Sequence, residues 1–315
     1  MAVGARPLVP SRLAPGGVVH GSLRHPTTRA AGYLALMKLR VVELLLMTTV
    51  PTMVLAARGW PSTSLVIWTL VGGTLAAGGA NAINMVIDRD IDALMTRTRG
   101  RPLVTGLISP RAALTFAVGL EVIAFAVLWW GANLLAACFA IGATLFYVFV
   151  YTIWLKRTSR QNVVIGGAAG AAPILVGWAA VTNGSSWSAV LLFVVIFLWT
   201  PPHTWALAIR HADDYRAANV PMLPAVASME STTHRMTEYT VALVITSLVL
   251  VPVADLGWIY AITAGVVGVL FVWGSIDLGR RPTLQRSMRL FAFSISYISV
   301  LFAALTLDVL VRSGT

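Results

Sequence analysis

Negative charge is scarce in this chain. Only 12 of its 315 residues are acidic, 23 are basic, and charged residues of both signs make up 11%. A soluble chain of this length carries roughly 25% charged residues, so the composition argues against a water-soluble globule. Cysteine is nearly absent as well. The single Cys138 excludes an internal disulfide or a cysteine-ligated cluster, and its place inside an apolar run marks it as a packing residue. The first thirty residues hold Arg6, Arg12, Arg24 and Arg29 without one acid, and they lack the apolar core of a secretory signal. A disordered basic tail over residues 1–32 is the simpler expectation, with a mitochondrial transit peptide as its rival.

What is abundant is apolar sequence. Hydrophobic residues reach 57%, mean hydropathy is +0.80, and runs long enough to cross a bilayer as helices recur along the chain. The pattern predicts an all-α polytopic membrane protein, a bundle of nine transmembrane helices over residues 33–315. The spans fall at roughly 36–57, 63–87, 110–130, 132–155, 162–182, 187–208, 235–254, 257–279 and 289–311. Of the 23 basic residues, all but Arg58 and Arg312 fall on one side of this arrangement. The positive-inside rule therefore puts the N-terminus in the cytoplasm and the C-terminus outside. The net charge of +11 is explained by those loops and implies no nucleic acid.

The scarce acids are not scattered. Asp88, Asp90 and Asp92 close the second span in "NMVIDRDIDALMTRTRGRP", and Asp213 and Asp214 follow the sixth span in "RHADDYRAANVPMLP", on the same side. Asn84, Asp88 and Asp92 are spaced four apart. A step of four on an α-helix overshoots a full turn by about 40°, so these three share a face while Asp90 points nearly the opposite way. Two carboxylates and an amide oxygen on one face form a hard-oxygen set suited to Mg²⁺. A solvated helix end laced with Asp–Arg pairs is the plainer account. Two stacked aspartates repel unless a cation or base compensates, and the second acidic pair at the same membrane face weighs against it.

Other polar groups fall at similar depth. Lys38, Arg40 and Glu43 open the first span; Tyr151, Lys156 and Arg157 end the fourth; Asn162 opens the fifth. His203 follows Pro201 and Pro202 in the sixth, where it either contacts a ligand or satisfies carbonyls freed by the kink. Metal-holding acids ringed by Lys and Arg, below an apolar chamber, suit a ligand with a diphosphate head and a hydrocarbon tail.

At these residues the chain resembles the intramembrane prenyltransferase superfamily typified by the 4-hydroxybenzoate polyprenyltransferases, and within it the branch that farnesylates heme b. The passages are "NMVIDRDIDALMTRTRGRPL", "YTIWLKRTSRQNVVIGGAAGAAPILVGW", "WTPPHTWALAIRHADDYRAANVPMLP" and, more loosely, "LMKLRVVELLLMTTVP". The resemblance implies that Asn84, Asp88, Asp92 and Asp214 hold Mg²⁺, with Asp213 beside Asp214 in the second acidic motif. It makes Lys38, Arg40, Arg97, Arg101, Lys156 and Arg157 candidate diphosphate binders, and His203, Tyr151 and Asn162 candidates for the acceptor side. The implied substrates are farnesyl diphosphate and heme b. The implied product is heme O, with possible handover to heme A synthase or a terminal oxidase. The expected location is the cell membrane, or the mitochondrial inner membrane if the tail is a transit peptide.

Three departures stand out. No acid lies four residues after Asp213 or Asp214, unlike the superfamily's usual D-x3-D but like the "DDY" of the heme branch. Tyr151 and Lys156 are five apart where the superfamily has Y-x3-K. "KLR" replaces Lys-Pro-Arg. A quinone-precursor or chlorophyll-type acceptor is the rival within enzymes. A secondary transporter is the rival outside them, although its acids would sit near mid-bilayer and not at one surface.

Overall fold

The structure is a computed structural model that describes residue 26 and residues 28–314. Most of the expected tail therefore lies outside the described residues, yet helix α1 (Arg29–Met37) already begins inside that stretch. All regular secondary structure among the described residues is helical, without strands. After α1 come α2 (Leu39–Ala57), α3 (Thr63–Ile87), the short α4 (Arg89–Leu94) and α5 (Pro110–Gly131). A long α6 (Leu134–Thr158) and α7 (Asn162–Thr182) follow. α8 (Trp187–Arg210) leads through short α9 (Ala212–Ala217) and α10 (Leu223–Val226) to α11 (Met229–Val253), α12 (Trp258–Arg280) and α13 (Leu284–Ser313).

Local chemistry sets the helix ends. Ser109 accepts from Ala112 N–H ahead of Pro110 at the first position of α5, and Asn133, Ser186, Ser228 and Thr283 cap α6, α8, α11 and α13 in the same way. The start of α12 is capped from a distance: Asp308 of α13, buried, accepts from the N–H groups of Gly257 (2.5 Å), Ile259 (3.1 Å) and Tyr260 (3.3 Å). An anion at a helix N-terminus meets both the free N–H groups and the dipole. Asp308→Ala is expected to cost about 1–3 kcal/mol, read as a lower thermal midpoint in detergent with the Michaelis constants unchanged.

Eight of these helices are long and apolar enough to cross a bilayer, and α2 adds a shorter apolar stretch, Met47–Ala57. The first expected span is not one helix. It breaks at Lys38, whose backbone is left-handed (φ 51°, ψ 51°) and separates α1 from α2. A left-handed lysine is uncommon, and its physical reason lies in the site: the break lets Lys38 turn toward α3. Another departure is in α6, where Phe146–Leu155 is wound as a π-helix. The Lys156 N–H accordingly donates to the Tyr151 carbonyl five residues back.

α3 packs along α5, α7 against α8 and α2, and α11, α12 and α13 against one another around α8. The largest apolar core joins the second half of the chain through Trp199, Trp205, Tyr260, Phe271 and Tyr297. A second core sits among α3, α5, α6 and α7. Between them the bundle is hollow.

Candidate active site

The hollow is a cavity of about 340 Å³ walled by α2, α3, α6, α7 and α8. Its walls are mostly glycine, alanine and threonine, with Tyr147 and Tyr151 on one side. Small residues such as Ala77, Ala80, Gly166 and Gly170 hold the helices close but leave open space between them. A Cβ built at Gly170 meets nothing within 4 Å. Gly170→Leu should therefore fold normally but fill the chamber. A rise of at least about tenfold in KM for the tailed substrate is expected, with thermal stability unchanged, since displaced apolar contact is worth about 1.5–3 kcal/mol.

At one end of this cavity lies the acidic stretch. α3 is pinched at Asp88 (φ −86°, ψ 5°). The hydrogen bonds Asp88 N–H to Asn84 O (2.9 Å) and Asp92 N–H to Asp88 O (2.8 Å) nevertheless carry the four-residue spacing through the pinch. Asn84, Asp88 and Asp92 are all buried, Asp88 completely (0% exposed). Each has a basic partner. The Lys38 ammonium donates to Asn84 Oδ1 (2.9 Å), the Lys156 ammonium to Asp88 Oδ2, and the Arg101 guanidinium to Asp92 Oδ2 (2.5 Å). Asn84 Nδ2 in turn donates to Asp88 Oδ2 (2.7 Å) and to Thr152 Oγ1 (3.1 Å). Repulsion between the stacked carboxylates is thus relieved by bases from three parts of the chain.

Asp90 has turned away, as its position on the helix requires. It is gripped by Arg157 through two hydrogen bonds of 2.8 Å, which hold its carboxyl well below the usual carboxylate range, at about 2. Arg157 also lies 3.7 Å from Asp88 Oδ1. The backbone of Arg40 lies in α2, but its side chain falls outside the described residues.

The second acidic pair splits in role. Asp214 accepts from the backbone N–H groups of Thr96 (3.1 Å) and Arg97 (3.4 Å), and so ties the segment after α8 to the loop after α4. The two acidic stretches therefore lie side by side. Burial, with Arg97 nearby, pushes His211 below its ordinary range, so its contact with Asp214 is that of a neutral ring near neutral pH. Asp213 faces solvent and pairs with Arg216. Arg97 is exposed, and only its backbone N–H reaches Asp214.

Among the acceptor-side candidates, Tyr151 lines the cavity and stacks on Tyr147 with centroids 5.3 Å apart. Asn162 is fully buried with neither amide atom hydrogen-bonded, one residue from the cavity-lining Val163. His203 is elsewhere. Its ring is stacked between Trp199 (4.2 Å) and Phe291 (4.8 Å), its Nδ1 is 2.7 Å from Ser294 Oγ, and it does not line the cavity. The ring turns toward α13, where Ser294 and the aromatic pair surround it.

The π-helical turn accounts for the five-residue spacing of Tyr151 and Lys156. At 100° per residue an α-helix would set Lys156 about 180° from Tyr147; at about 4.4 residues per turn the two differ by only about 16°. One helix can then present Tyr147 and Tyr151 to the cavity and still deliver Thr152 and Lys156 to Asn84 and Asp88. Thr152 carried no signal in the sequence, because a threonine in an apolar span most often bonds to its own helix.

Among the described residues no three His, Cys, Asp or Glu side chains converge into a ready metal cage. The donor set nonetheless suits Mg²⁺. Asp88 Oδ1 is buried without a hydrogen-bond donor, and this ion binds through one or two carboxylates plus water and phosphate oxygens.

A helical bundle with an apolar chamber ending in buried carboxylates and cations is the architecture of an intramembrane prenyl-transferring enzyme. Residues 45–298 match the UbiA prenyltransferase family, and the chain belongs to that family. It is 51% identical over 285 residues to the protoheme IX farnesyltransferase of Pseudarthrobacter chlorophenolicus, covering 89% of each chain. Solved structures share the fold at lower identity. A structure described in a study of digeranylgeranylglyceryl phosphate synthase superimposes with a TM-score of 0.74 at 18% identity, covering 89% of this chain and 98% of that one. A UbiA homolog from Archaeoglobus fulgidus bound to GPP and Mg²⁺ superimposes with a TM-score of 0.62 at 18% identity, covering 87% and 99%.

Proposed function

We propose that this chain transfers a farnesyl group from farnesyl diphosphate to a vinyl group of heme b, with water completing the addition to give the hydroxyethylfarnesyl group of heme O. The observation that supports this most is the meeting of buried Asn84, Asp88 and Asp92 with Lys38, Arg101 and Lys156 at one end of an apolar cavity. The relatives named protoheme IX farnesyltransferase supply the acceptor and the chain length.

In the structure each acid is matched to a base, so a diphosphate can enter by exchange. Lys156 and Arg101 would turn from Asp88 and Asp92, and Lys38 from the Asn84 amide oxygen, to phosphate oxygens, with Arg157 near, and the freed Asn84, Asp88 and Asp92 would hold Mg²⁺. Mg²⁺, when bound, neutralises the charge that develops on the departing diphosphate. The C1–O bond breaks with its electron pair leaving on that group, and the lysines and arginine stabilise the anion where it forms. The Ala and Gly walls keep water from the allylic cation until the vinyl carbon has attacked it. Asp214 belongs to the loop framework that shapes this mouth, and Tyr151 and Asn162 are placed for the acceptor.

With this function α2 would be a ninth span, the basic loops and N-terminus would lie in the cytoplasm, and the protein would reside in the cell membrane. It also leaves open a path for heme O to pass to heme A synthase or a terminal oxidase. The test is an assay of purified protein with farnesyl diphosphate, Mg²⁺ and either heme b or 4-hydroxybenzoate. Farnesylated heme is the expected product. Prenylation of the phenol alone would assign a quinone-precursor acceptor, and movement of substrate without chemistry would assign a transporter.

A further inference from the structure

Glu121 stands apart from this machinery. It lies halfway along α5 (Pro110–Gly131), at a depth where an ionisable side chain is expensive, and it is only 7% exposed. No Lys, Arg or His among the described residues pairs with it within 4.0 Å. Its carboxyl reaches between helices because α3 has a glycine there: a Cβ on Gly79 would stand 2.6 Å from Oε1. On the other side both carboxyl oxygens are 3.2 Å from Thr144 Oγ1.

Thr144 is part of the cavity wall. Its hydroxyl behaves unlike those of two other wall threonines, which return to their own helix: Thr69 donates to Leu65 O (2.8 Å) and Thr200 to Ile196 O (2.9 Å). Thr144 donates instead to Glu121 and leaves its oxygen lone pairs for the cavity. The depth is also informative. The carboxyl abuts Gly79, next to Ala80, one helical turn or about 6 Å inward from Asn84. A prenyl chain with its diphosphate at Asn84 and Asp88 has its first carbon, and the vinyl carbon bonded to it, near this level.

We infer that Glu121, acting through the Thr144 hydroxyl, accepts the proton of the water that captures the final cation. This rests on the function proposed above. The water oxygen forms the new C–O bond with a lone pair, and one of its O–H bonds breaks. That proton passes to Thr144 Oγ1 as the threonine's own proton moves to Glu121. The carboxylate and the cation are both neutralised, and no redox partner is required. A carboxylate beside a forming cation in a dry wall is stabilised most in the transition state, and transfer through one hydroxyl is within reach of general-base catalysis.

Glu121→Gln and Thr144→Val are near-isosteric, and Thr144→Ser keeps the hydroxyl. Each is supplied with farnesyl diphosphate, Mg²⁺ and heme b, and products are resolved by mass spectrometry while diphosphate release is followed separately. The Gln and Val variants should release diphosphate within about threefold of the unmodified protein. Their hydroxylated fraction should fall at least about tenfold in favour of the diene lighter by one water, formed when the cation loses a proton instead. Thr144→Ser should keep the hydroxylated product. An unchanged ratio of hydroxylated to dehydrated product, at any rate, overturns the inference and leaves Glu121 as a helix–helix staple. Absence of farnesylated heme from the unmodified protein would instead remove the proposed function itself.

Discussion

Asp88→Asn is expected to lower turnover on the order of 1,000-fold while the protein remains folded and inserted. The side chain keeps its size and can still accept from Asn84, but it loses the charge that now faces Lys156 and Arg157. Two functions end together. One oxygen of the pair that would hold Mg²⁺ becomes a weak amide ligand, and the cations lose the anion that keeps them aligned while the site is empty of substrate. Asp88→Ala is a poorer probe, because deleting one partner of a buried ion pair can cost about 3–5 kcal/mol and confuse folding with catalysis. The measurement is steady-state diphosphate release, with size exclusion and the thermal midpoint as controls on the fold. Activity within about threefold of the unmodified protein would remove Asp88 from the site.

Lys156→Met should have the second largest effect, a loss of about 100- to 1,000-fold in kcat/KM for the diphosphate substrate. Lys156 reaches Asp88 because the π-helical turn swings it onto the face of Tyr147. Methionine preserves the stem and its packing but removes the charge. Both kcat and KM should worsen, since the ammonium would contact the diphosphate before and during its departure. Lys156→Arg should recover only part, because a planar fork does not replace a compact point charge in a buried slot. If Lys156→Met leaves kcat intact and alters only thermal stability, the lysine is a counter-ion to Asp88 and no more.

Much of this was legible in the chain itself, for identifiable reasons. Hydropathy placed residues 63–87 and 162–182 on the helices observed, since in those spans apolar sequence and helix end together at a cap or a turn. It set the seventh and ninth spans short, and the eighth at its observed length. α11 starts at Met229 and not near 235, because "MESTTHRMTE" is polar but helical, and a helix does not stop where the apolar layer stops. The four-residue spacing placed Asn84, Asp88 and Asp92 on one face and sent Asp90 away, as found. It could not foresee the break at Lys38, where neither glycine nor proline marks the turn and the conformation is held by a contact 46 residues away. Asp213 and Asp214 are adjacent and chemically alike, and only the loop geometry sends one to backbone donors and the other to solvent. His203 had two accounts in sequence, and neither foresaw its stacking between Trp199 and Phe291, which depends on how α13 packs on α8. Glu121 stands out in sequence as a lone acid inside an apolar span, but its partner Thr144 is 23 residues away and appears only once α5 and α6 pack together.

In the proposed reaction one cluster would grip a magnesium-loaded diphosphate at the mouth of a dry chamber. Calorimetric titration with the non-ionising thiolo analogue of farnesyl diphosphate tests it most directly. Saturable binding is expected that requires Mg²⁺, disappears with a chelator and weakens at least about tenfold in Asp88→Asn. Equal affinity with and without the metal, or in the variant, would contradict it.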